Sequence, residues 1–121
     1  MTKLPFSKEE QLQLLLARKL FAEIERLFPD EPSPWKLLTI TKADVLVFLE
    51  SHPDMAETFF SEAGNGESYP NWHDVPAMWK DAGTGAYKVA WMNRGKPTDA
   101  ADYSTIENAV ANYIVLRYFG G

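Results

Sequence analysis

The sequence predicts a mainly α fold: one compact domain over residues 1–121, with five or six helices and room for a small two-stranded β element. Three observations lead there. Ser/Thr capping signatures recur just before apolar runs. The apolar residues near both ends of the chain follow helical spacing, and strict two-residue alternation is brief wherever it occurs. The length of 121 residues suits one domain with its own core.

The first element opens at Ser7-Lys8-Glu9-Glu10, a capping box in which the Ser7 hydroxyl and the Glu10 carboxylate satisfy each other's backbone amides. The predicted helix runs to about Phe28, where Pro29 stops it. Leu16, Leu20, Phe21, Ile24, Leu27 and Phe28 cover one broad side of its wheel. Asp30 to Trp35 is a proline-rich connector, and Leu38 and Ile40 are the seed of a short strand.

Thr41-Lys42-Ala43-Asp44 repeats the capping logic ahead of VLVFL, and Pro53 sits at the first position of another short helix. Gly64-Asn65-Gly66 ends it in a loop. Asp74–Ala82 reads as a short helix stopped by Gly83. Residues 85–94 fit either a strand (Tyr87, Val89 and Trp91 alternate) or a helix ended by Gly95 and Pro97, and the helix is favoured. A last helix, capped around Ser104 to Glu107, extends to Phe119. Its second half, YIVLRYF, is apolar nearly all round, which places it at the centre of the fold or in a subunit interface.

Composition excludes several functions. The chain has no cysteine, which removes disulfides, thiolate zinc sites and cysteine nucleophiles, and fits a reducing cytoplasm. The N-terminus lacks an apolar h-region, and VLVFL is far too short to span a bilayer. Net charge is −5, and residues 1–70 carry all of it, with twelve Asp/Glu against seven Lys/Arg. Residues 71–98 are +2. An acidic body disfavours nucleic acid, whose binding rests on phosphate neutralisation. The helix pair over 42–63 reads as a plain helical hairpin rather than a DNA reader, because its second helix carries acids and no cation.

Chemistry-bearing motifs are sparse. His52, Asp54 and Glu57 lack the i, i+4 histidine pair of zinc helices. His73-Asp74 has no nucleophile motif beside it, and Asp74 reads as a helix cap. What stands out is the run from Tyr69 to Lys96, where Trp72, Trp79, Tyr87 and Trp91 alternate with cations. Trp, Tyr and Arg carry most binding energy at protein interfaces, although large rings are also the usual core of a small domain.

The sequence therefore predicts a non-enzymatic interaction module (an adaptor, inhibitor or regulatory subunit) that binds another protein through Trp72, Trp79, Tyr87, Trp91 and Arg94. It predicts no metal, cofactor or catalytic set. The alternatives are a homo-oligomer, a dimer joined through the last helix, and a small enzyme using His73 with a carboxylate.

Overall fold

The computed structural model describes residues 4–63, 75–94 and 96–119. Helices α1 (Lys8–Leu16) and α2 (Leu20–Leu27) lead through a 3-10 turn at Pro34–Leu37 to α3 (Lys42–Ser51) and α4 (Pro53–Ala63). Strands β1 (Val75–Lys80), β2 (Tyr87–Asn93) and β3 (Lys96–Tyr103) follow, and α5 (Ile106–Tyr118) closes the described chain. The strands form one antiparallel sheet in the order β1-β2-β3. The fold is thus mixed α and β, and the mainly α expectation is corrected.

The two helices expected over 74–94 are strands because the residues between them build a hairpin loop. The Asp81 carboxylate accepts from the Thr84 hydroxyl at 2.7 Å. The Asp81 amide donates to the Ala86 carbonyl at 2.8 Å, and the Gly85 amide donates to the Asp81 carbonyl at 2.7 Å. Gly85 supplies the left-handed residue, with φ +76°. Gly83 is therefore loop, not a helix stop. At the other turn Asn93 faces Lys96, and Arg94 has φ +54°. Gly95 lies outside the described residues. Pro76 and Pro97 occupy the two outer strands, where a missing N–H is tolerated.

The α1–α2 boundary is a second correction, since one helix was expected over 8–28. Ala17 ends α1, and Arg18 takes φ +59°. The Arg18 amide then donates to the Leu15 carbonyl at 3.0 Å and the Lys19 amide to the Leu14 carbonyl at 2.9 Å. This is a Schellman stop with arginine in the position glycine normally takes. The Arg18 guanidinium reaches Glu62 on α4 at 2.9 Å.

Helix α5 is the centre of the fold. It packs against α3, α4 and all three strands, with Ala109, Val110, Ala111, Tyr113 and Ile114 buried. Its cap is Thr105, whose hydroxyl accepts from the Asn108 amide, one residue later than the expected serine. Of the two places open to a helix apolar on all sides, it takes the interior. Met78 and Val89 pair across β1 and β2 on the face that joins this main core. The opposite face carries a second cluster of Ala77, Met92, Val75 and Trp79. Leu38 and Ile40 form no strand, and Ile40 is buried in the main core.

Both N-terminal capping boxes are present as expected. The Ser7 amide donates to Glu10 at 3.0 Å, and the Thr41 amide donates to Asp44 at 2.9 Å. Those amide bonds hold both carboxyls below their ordinary range; at Asp44 the Thr41 hydroxyl and the Lys8 charge add to the effect. A lowered folded value means the contribution is present above the unfolded pKa and lost as pH falls through the folded one. Thr41→Ala is expected to cost about 1 kcal/mol at neutral pH. Thermal unfolding should show the gap to the parent protein narrowing only as pH falls below the ordinary aspartate value of about 3.9, towards the lowered folded one.

Candidate interaction surfaces

The sheet distributes the sequence-predicted site residues over different places. In an antiparallel pair, partnered residues share a face and neighbours alternate. Trp79 partners Lys88, so it lies on the face opposite Met78 and Val89, in the small second cluster. Tyr87 shares the main-core face. Its ring meets Phe60 of α4 edge-on, centroids 5.3 Å apart, and Lys80 Nζ lies 5.6 Å from its centre. Tyr87 is thus chiefly a brace between α4 and the sheet. Trp72, His73 and Asp74 lie outside the described residues, as does the loop that begins at Gly64.

Trp91 and Arg94 remain together. Trp91 continues the row of Tyr87 and Val89 towards the β2–β3 turn, yet it packs against neither buried cluster among the described residues. It is half-buried, opposite Pro76 on one side and Thr98 on the other. The Thr98 hydroxyl donates to the Trp91 carbonyl at 3.0 Å and fixes the strand pair there. Beyond it, Asn93, Arg94, Lys96 and Thr98 line an open concavity of ≈ 400 Å³, and among the described residues that line it are two cations and no carboxylate.

The rest of β3 is mostly exposed and is blunted as an edge. Val89 faces Ala101 while Trp91 faces Thr98, so β3 carries one extra residue, a bulge at which Asp99 has φ +52°. Pro97, the bulge and the charges of Asp99 and Asp102 hinder another strand from pairing there. Lys88 bonds Asp102 at 2.7 Å, and that hydrogen bond pushes the lysine's pKa up. The Lys88 charge is therefore neutralised locally.

A second surface was missed from the sequence. Lys8, Leu12, Asp44, Val47, Phe48 and His52 are among the residues that line a groove of ≈ 360 Å³ between α1 and α3. Val47 is 63% exposed there. The signal was in the VLVFL run: four of its five apolar residues are inward or half-buried, so the fifth must face water. His52 stacks on Phe48 with centroids 4.2 Å apart, and its Nδ1 lies 2.9 Å from the Phe48 carbonyl. A carbonyl only accepts, so Nδ1 carries a proton and Nε2 is the remaining polar atom.

His52, Asp54 and Glu57 do not converge, since among the described residues no three His, Cys, Asp or Glu side chains come together as a metal site. The one buried polar side chain among those residues is Gln11, whose bonds are structural. No helix among them is long and apolar enough to cross a membrane. Comparison of the chain with protein families, with curated proteins and with solved structures finds no match.

Proposed function

We propose that the protein is a non-enzymatic binding module whose contact surface is the end of the β2–β3 hairpin, and that its partner is another protein with an acidic surface. The observation that carries this reading is Trp91, a partly exposed ring that among the described residues packs in neither buried cluster and stands two residues before a turn that bears Arg94 and Lys96. A tryptophan supplies a large apolar anchor, and a net-positive turn beside it favours an acidic contact surface. The hairpin holds them on a paired scaffold, so little ordering entropy is lost on binding. The acidic helical body makes a nucleic-acid partner unfavourable. Adaptor, inhibitor and regulatory subunit are roles such a module serves, and the cysteine-free chain fits the cytoplasm.

Quantitative affinity capture from the native source tests this with Trp91→Ala and Arg94→Glu beside the unchanged protein. Each variant should keep its thermal midpoint within a few degrees while retention of one specific partner falls about tenfold or more. Retention undiminished in both variants would sink the reading.

A further inference from the structure

The crevice at the C-terminal end of α2 combines aromatic rings with two carboxylates. Phe21, Ile24 and Phe28 form its apolar walls, Pro34 comes from the 3-10 turn, and Glu25 and Glu31 bring two carboxylates. Among the described residues no lysine or arginine lines it. Neither carboxylate is paired with a cation among the described residues, for Arg26 is taken by Glu23 at 2.7 Å. Glu31 is instead oriented by the Ser33 amide, which donates to it at 3.1 Å. Phe21 is fixed by stacking on Tyr118 of α5, centroids 5.2 Å apart.

From these features we infer that the crevice binds an alkylammonium or guanidinium group carried on a short apolar stem. Three independent effects favour a cation at this place. The carboxylates provide the opposite charge. The end of α2 adds the partial negative charge of its unsatisfied carbonyls. Ring faces of the Phe21 and Phe28 type attract ammonium and guanidinium groups while their carbon surface takes the stem. The volume, ≈ 250 Å³, sets the size. It lies below the roughly 300–1,000 Å³ of sites for drug-sized ligands, so a group the size of one side chain fits and a nucleotide does not.

Such a group comes either on a free amine or on a lysine or arginine of a second protein. The inference is independent of the hairpin reading, because it uses none of the same residues.

Amide NMR titration of the full chain tests it with n-butylammonium and with lysine blocked at both ends, against n-butanol and blocked norleucine as uncharged counterparts. Saturable shifts are expected at Phe21, Glu25, Phe28 and Glu31, with the uncharged probes about tenfold weaker. The double variant E25Q/E31Q keeps the shape and the Ser33 contact. It should weaken the charged probes by about tenfold and leave the uncharged ones unchanged. Tighter binding of blocked lysine than of butylammonium assigns the site to a partner's side chain, and the reverse order assigns it to a free amine. Equal affinity for charged and uncharged probes, or no saturation at millimolar concentration, overturns the inference.

Discussion

Phe59→Ala is expected to remove about 3–5 kcal/mol of stability, a large share of the roughly 5–15 kcal/mol that holds an ordinary domain together. Phe59 is 1% exposed and among the largest fully buried side chains. It projects from α4 and meets Tyr113 of α5 edge-on, with centroids 6.0 Å apart and planes at 66°. Truncation therefore removes apolar burial, leaves a cavity against the central helix and breaks a ring pair worth about 0.5–1.5 kcal/mol beyond its area. Urea unfolding should show a lower midpoint with an unchanged slope. Phe59→Leu should recover most of the loss, because it refills most of the volume. A deficit under about 1 kcal/mol in the alanine variant would mean that α4 is not seated on α5.

The same helix shows how the sheet is tied to the helical layer. Phe60, the next residue, is only partly buried and reaches Tyr87 across the interface. One α4 residue thus serves the helix–helix contact and its neighbour the helix–sheet contact. The ring of Tyr87 that looked like a binding residue in the sequence is committed to that junction. Trp79 is placed on the other side of the sheet by the alternation of β1. A run of aromatics along the chain is one surface only if the backbone turns them the same way. A pleated hairpin sorts them to two faces and leaves the residues beyond its core-facing end together.

That sorting explains what the sequence disclosed and what it withheld. The capping boxes at Ser7 and Thr41 were legible because they are local: donor, acceptor and spacing all lie within four residues. The interior position of α5 was half-legible, since an all-apolar helix must be covered but its sequence does not say by what. The break after Ala17 had no signal, because the left-handed residue is Arg18 and no glycine or proline marks it. The sheet was obscured by its own punctuation. Gly83 and the Gly95–Pro97 pair read as helix ends, whereas Gly83 lies in the β1–β2 loop and Pro76 and Pro97 sit on the two outer strands. The Asp81–Thr84–Gly85 contacts carried the missing information: an acid, a hydroxyl and a left-handed glycine spaced for a hairpin loop.

Gln11→Glu is expected to make stability strongly dependent on pH. Gln11 is 1% exposed on α1. Its Nε2 donates to the Phe6 carbonyl at 3.1 Å and to the Thr39 hydroxyl at 2.9 Å, and its Oε1 accepts from the Thr39 amide at 3.1 Å. One side chain thereby joins the entry to α1 with the segment leading into α3, beneath the groove those two helices form. A carboxylate preserves the shape and the contact to the Thr39 amide, but it faces the Phe6 carbonyl without a proton to give. Burial raises the folded pKa of the new acid above its unfolded value of about 4.3. The folded state then keeps its stability below that unfolded value and loses it as pH rises through the folded one. At neutral pH the deficit should reach about 3–5 kcal/mol, the usual consequence of an uncompensated buried charge. Gln11→Leu supplies the contrast. It also leaves the Phe6 carbonyl and the Thr39 amide unpaired, at about 1–3 kcal/mol each, but it cannot titrate, so its deficit should stay level. Urea midpoints followed from acid to neutral pH separate the two. A glutamate variant that parallels the parent protein across that range would show that water reaches position 11 and that the α1–α3 junction is open.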